Sequence, residues 1–221
     1  MPKPLRRFVS VVTPARAAGA VFAMIALVAI VYVRRESAAD TGLDAEGNEA
    51  AYFSALLLVS AGAFVALAAR HARPEGPAVP WYVVSVLLLT MAADELLGWH
   101  ETLERRTGVD WQLLYGPVVV AAGVCALRMM WALRARPRVL ATFVGGGTAW
   151  LVAQVLEKVQ WSGDTLLHPG LIVPEELLEM TGSALFGVAM LAVIDSAARG
   201  PAPAAQPGES PSNASARAST T

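Results

Sequence analysis

Apolar residues in this chain do not recur at the spacing of a helix that buries one face; they run on with few polar interruptions. Six blocks, near residues 17–33, 52–69, 80–97, 113–133, 139–156 and 177–194, are apolar on all sides for roughly 17 to 20 residues each. At 1.5 Å of rise per residue, such blocks match the ~30 Å hydrocarbon layer of a bilayer. The pattern predicts an all-α fold: a polytopic membrane helix bundle with six transmembrane helices.

Composition agrees. Hydrophobic residues make up 55% of the 221, and charged residues only 16%, against about 25% in soluble domains. The connections between blocks are short, which leaves no room for a soluble domain. The basic head and apolar stretch at the N-terminus resemble a signal peptide. The stretch is long, however, ends at Arg34-Arg35 and is followed by no small-x-small cleavage site, so it reads as a retained first span. The chain then divides into a cytoplasmic basic N-tail (1–16), the bundle (17–195) and a Pro/Ala/Ser-rich cytoplasmic tail (196–221). That tail has too little apolar bulk to order itself.

Charge adds a direction. With the N-terminus in the cytoplasm, twelve of the seventeen Lys and Arg residues fall on the cytoplasmic side, which favours N-in and C-in. The carboxylates divide the other way, fifteen of eighteen lying on the outer side. One face of the protein is therefore acidic and would concentrate cations. The expected location is a bacterial inner membrane, multi-pass.

Candidate chemistry gathers on that face. The stretch DELLGWHETLERR (94–106) closes the third block and puts Asp94, Glu95, His100 and Glu101 into its last turns. On a continuous helix Asp94 and Glu101, seven apart, share a face, and Glu95 points elsewhere. Trp150, Gln154, Glu157 and Trp161 form a stripe at the outer end of the fifth block, and Glu175 and Glu179 stand four apart at the outer start of the sixth. Ionisable groups next to hydrocarbon are costly, and carboxylates brought together repel one another. They can take up protons, or share a cation. The set Asp94, His100, Glu101, Glu157, Glu175 and Glu179 would suit a divalent transition metal (Zn, Fe or Mn), with His168 a second imidazole.

A plainer reading stands beside it. Glu104 would be solvated at a helix end, Glu175 and Glu176 would complement a helix N-terminus after Pro174, and Trp81, Trp99, Trp111 and Trp161 would form an interfacial belt. Cys125, the single cysteine, lies mid-span and reads as packing. The glycines of VGGGTAW (144–150) and TGSALFG (181–187) mark close helix contacts. No nucleophilic triad and no nucleic-acid patch is visible.

The pairing of D-E-x4-H-E at Asp94, Glu95, His100 and Glu101 with E-E-x2-E-M-x-G at Glu175, Glu176, Glu179, Met180 and Gly182 resembles a group of bacterial six-span integral membrane proteins. In size, span number, short tails and Ala/Arg-rich composition the chain is also similar to the myxobacterial inner-membrane anti-sigma factors of the CarR type. That similarity implies a negative regulator of transcription that sequesters a soluble sigma factor at the cytoplasmic face, under light, with carotenoid genes as the output. Membrane lipids would be the other partner, and no nucleic acid would be bound directly. The alternative is a metal-dependent integral membrane enzyme, a hydrolase or oxidase acting on a lipid or isoprenoid. No catalytic residue is assigned on the first reading.

Overall fold

A computed structural model describes residues 2–35, 48–72, 76–162 and 165–200. A short helix α1 (Lys3–Val11) leads into α2 (Pro14–Arg35), followed by α3 (Glu49–His71), α4 (Val79–Leu97) and a short α5 (Trp99–Thr107). Then come α6 (Trp111–Leu133), α7 (Pro137–Gln160) and α8 (Ile172–Arg199). A two-residue antiparallel hairpin, β1 (Trp161–Ser162) with β2 (Thr165–Leu166), and a 3-10 turn (Pro169–Leu171) link α7 to α8. Six of the helices are long and apolar enough to cross a membrane: α2, α3, α4, α6, α7 and α8. These are the six blocks expected, and the chain is an all-α bundle of multi-pass membrane type.

Three boundaries differ from expectation. The N-tail is not featureless, since α1 occupies Lys3–Val11 and α2 starts at Pro14. The sixth crossing begins at Ile172, ahead of the expected 177, so Glu175 and Glu176 lie within the first turns of α8 together with Glu179. The same helix runs on to Arg199, past the expected end of the bundle at 195. The tail expected to be disordered falls, from residue 201 onward, outside the described residues, as does the acidic loop 36–47.

Local chemistry accounts for the ends. Asn48 accepts from the Ala51 N–H (2.8 Å) at the start of α3, and Asp110 accepts from the Gln112 N–H (2.9 Å) at the start of α6. Proline opens α4 and α7, where its missing N–H costs nothing. Inside α6, Pro117 removes one intrahelical hydrogen bond. Gly98 adopts a left-handed conformation (φ 56°) and stops α4. A residue with a Cβ would be strained there.

The helix α8 sits at the centre, packed against α7, α3 and α2. On the far side α3 packs against α4, α4 against α6, and α6 only lightly against α7. The α7–α8 crossing is made by two glycines. A Cβ on Gly182 would meet Trp150 Cδ1 at 2.4 Å and the Gly146 carbonyl oxygen at 2.9 Å, and one on Gly146 would meet the Gly182 carbonyl oxygen at 2.9 Å. Trp150 Nε1 donates to Ser183 Oγ (3.2 Å) beside that contact. At the α3–α4 crossing Ser85 Oγ donates to the Gly62 carbonyl (2.8 Å). The expected glycine contacts in α7 and α8 are thus present, and they bring backbones close where lipid supplies no hydrophobic drive.

The core holds Leu58, Val65, Leu88, Met129, Leu133, Phe143, Met190 and Val193, with Cys125 packed partly buried against it. Trp81, expected in an interfacial belt, belongs to this core at 2% exposure. Trp99 and Trp161 are exposed, as a belt requires.

Candidate functional site

A cavity of about 1450 Å³ is bounded by α4, α6, α7 and α8, with Ala51 and Leu58 of α3 behind. Its upper end carries the polar groups: Asp94, Glu95, His100, Trp111, Gln112, Gln154, Glu157, Gln160, Glu175 and Glu179 among them. Its lower part is lined by Val84, Leu88, Ala126, Met130, Phe143 and Phe186. Val118 and Val119 of α6 and Val144 and Leu151 of α7 border the cavity and are also exposed. They mark a mouth on the side of the bundle where α6 and α7 barely touch.

The upper end is wired from helix to helix. Asp94 spans the break at Gly98: its Oδ1 accepts from the His100 N–H (2.9 Å), its Oδ2 faces His100 Nδ1 (3.1 Å), and Tyr115 donates to Oδ1 (3.4 Å). Asp94 thereby caps α5, which has no side chain of its own at its N-cap position. The His100 ring leans on Trp111 (centroids 5.3 Å apart), and Trp111 meets Tyr115 edge-on at 5.7 Å. Trp111 Nε1 donates to Glu157 Oε1 (3.0 Å), and Gln112 Nε2 reaches both Glu157 and Gln154 at 3.3 Å. Gln154 Nε2 in turn donates to Glu179 Oε1 (3.0 Å). Ser54 of α3 faces Glu95. The charged groups acting on Glu179 are carboxylates: Glu175, Glu176, Glu95 and Glu157. Lys158 pairs with Asp110, tying the start of α6 to the end of α7.

The expected convergence of the acidic ends of the third, fifth and sixth crossings is therefore present, and α6 joins them. Asp94, His100, Glu101, Glu157, Glu175 (7% exposed) and Glu179 border one cavity. Three expectations about individual residues change. Asp94 and Glu101 do not share one helix face, because Gly98 ends α4 between them. Glu101 sits on α5 with its side chain 50% exposed and 3.9 Å from Arg105, and it borders the cavity at its exposed edge. Glu95, expected to point elsewhere, faces the cavity with Asp94. His168 is exposed ahead of the 3-10 turn and does not border the cavity.

Among the described residues no three His, Cys, Asp or Glu side chains are grouped closely enough to hold a metal ion. As they stand, the carboxylates are spaced by amide and indole donors. Trp111, Tyr115, Gln112 and Gln160 are parts of the site that the sequence reading missed. Each lies at a span end, where tryptophan and glutamine are common enough to pass as interfacial residues.

No curated protein and no solved structure matches this chain significantly. A family model does, over residues 16–194, so it covers all six crossings and the whole cavity rim. The chain belongs to the family described as domain of unknown function DUF8692.

Proposed function

We propose that this protein binds an amphiphile drawn from the surrounding bilayer, with the polar head at the acidic rim and the chain in the apolar length of the cavity. The proposed setting is a bacterial inner membrane, with both termini cytoplasmic and the rim on the outer side. One observation carries this reading: the cavity is continuous from Glu175, Glu179 and Gln154 to Met130 and Phe143. From Trp111 to Met130 along α6 that is about 28 Å, the reach of a long hydrocarbon chain. Its volume of about 1450 Å³ exceeds the ~300–1,000 Å³ usual for compact ligands. The side mouth between α6 and α7 would admit a chain without passage through water.

A photoactivatable long-chain probe tests this. Cross-links are expected on α6 and α7 in the wild type, and their loss is expected in Gly147→Trp, which fills the cavity from a position with open space around it. Equal labelling in both, with the helical fold of the variant intact, would overturn the reading.

A second reading rests on the opposite end, where Arg70 and Arg138 are exposed. Together with the similarity to inner-membrane anti-sigma factors, this basic rim supports docking of an acidic soluble partner such as a sigma factor. Ligand occupancy would set the strength of docking. Co-purification of the detergent-solubilised protein with a co-expressed sigma factor is the test, and its absence with and without ligand argues against the partner.

A further inference from the structure

The N-terminal helix α1 is the element that neither the cavity nor the bundle explains. Its nine residues, KPLRRFVSV, form the most amphipathic helix of the chain, and one that is polar overall. Lys3 and Arg7 stand four apart and share a stripe, and Pro4, Phe8 and Val11 share the neighbouring one. All five side chains are exposed, Phe8 by 43% and Val11 by 62%. Little inside the chain holds such a helix. Alone in water a helix needs about 12–15 residues to persist. No side chain caps the start of α1, and Lys3 stands at the positive end of its dipole. It packs on α8, which leaves the Phe8 and Val11 side uncovered.

Its place in the molecule says what covers that side. Two residues, Val12 and Thr13, separate α1 from the first crossing. The joint is tied: the Arg16 N–H donates to Thr13 Oγ1 (3.3 Å), and Arg16 Nη1 donates to the Val11 carbonyl (3.4 Å). The helix therefore stays at the level where α2 enters the bilayer, among lipid headgroups. Charge there has one sign. Ile25 and Tyr32, late in α2, cluster with Ile172 and Met180, early in α8, so the two helices run antiparallel and α1 lies where α8 ends. The ends of α3, α7 and α8 meet there around Ala72, Arg136 and Ser196, and Arg70, Arg138 and Arg199 are exposed. Among the described residues of this end Asp195 is the one carboxylate, and Arg199 pairs with it at 2.6 Å.

An apolar stripe beside a basic one, held at headgroup depth, is the pattern of a helix lying in the plane of the interface. We propose that α1 binds the anionic phospholipid headgroups of the leaflet it faces. Phe8 and Val11 enter the acyl boundary, and Lys3 and Arg7 extend to the phosphates. In the proposed orientation that leaflet is the cytoplasmic one. This binding is independent of the cavity and its ligand.

Fluorescence quenching in nanodiscs, which leave both membrane faces open, tests the proposal on the full-length chain. Cys125→Ser removes the single cysteine, and Phe8→Cys or Val11→Cys then carries a polarity-sensitive dye. With phosphatidylglycerol in the disc, both labels are expected to be shielded from acrylamide, relative to the same dye on free cysteine. With phosphatidylcholine alone they are expected to be quenched. Lys3→Gln and Arg7→Gln should each lower the ratio of shielded to accessible label roughly fivefold, the equivalent of about 1 kcal/mol per basic residue at an anionic surface. Lys3→Arg with Arg7→Lys should preserve it. Full quenching of both labels in both lipids would overturn the interfacial position. Equal shielding in both lipids would overturn the choice of anionic headgroups, and shielding that survives Lys3→Gln/Arg7→Gln would overturn the role of these two residues. Shielding that appears only with a bound acidic protein would assign the face to that protein and overturn the lipid.

Discussion

Gly182→Ala is expected to destabilise the bundle by about 2 kcal/mol, and the geometry of the α7–α8 crossing supplies the figure. The added Cβ would lie 2.4 Å from Trp150 Cδ1 and 2.9 Å from the Gly146 carbonyl oxygen, where unstrained heavy atoms stand roughly 3.5–4.0 Å apart. The carbonyl belongs to a helix backbone and cannot swing aside. The indole can move, but it is held by its 3.2 Å bond to Ser183, so moving it gives up that bond as well. Overpacking of this kind costs about 1–3 kcal/mol, and an interhelical hydrogen bond in a membrane bundle is worth about 0.6 kcal/mol. Against these stands a gain of up to about 1 kcal/mol for replacing glycine by alanine inside a helix. The balance of about 2 kcal/mol is a shift of roughly thirtyfold in the unfolding equilibrium, measurable by denaturant titration in mixed micelles. Gly147→Ala is the control, since nothing lies within 4 Å of its added Cβ; it should be neutral or up to about 1 kcal/mol more stable. The double variant Gly146→Ala/Gly182→Ala should cost less than the two singles together, because the first methyl already parts the helices. Gly182→Ala as stable as Gly147→Ala would refute the close-contact account of this crossing.

Three further outcomes are expected. Gln154→Leu removes the donor to Glu179 and the acceptor for Gln112; it should cost about 1–3 kcal/mol in the same titration and loosen α7 from α6, seen as faster proteolysis at the α6–α7 rim. Asp94→Ala strips the cap from α5 and should cost about 1 kcal/mol, whereas Glu101→Ala, exposed beside Arg105, should change stability by no more than about 0.5 kcal/mol; equal effects would contradict the helix break at Gly98. Chelation by EDTA should leave both unfolding midpoint and probe labelling unchanged, because no three metal-binding side chains are grouped among the described residues; a lowered midpoint, restored by added zinc or manganese, would call for a ligand set outside this arrangement.

The bundle was readable because continuous apolar blocks leave a chain few alternatives in a bilayer, and the glycine runs at 144–150 and 181–187 announced the tightest crossing. The acidic end was readable because cost makes each intramembrane carboxylate conspicuous. What periodicity could not carry was the turn at Gly98, since one left-handed residue resets the phase between Asp94 and His100. The error over Glu95 follows from the same source, together with the unforeseen contribution of Ser54 from α3. Trp81 was misplaced because tryptophan at a span end looks alike in sequence whether it faces headgroups or the interior.

The central position of α8 has a consequence for biogenesis. Synthesis runs from the N-terminus, so α2, α3 and α7 all enter the membrane before the helix they share as a neighbour has left the ribosome. Until then their Gly146 and Ala61 surfaces are covered by lipid alone or by a chaperone. A nascent chain arrested before residue 172 should thus present α2 and α7 loosely beside the already paired α3 and α4, and assembly should complete in one late step when the final crossing slots between its three waiting neighbours.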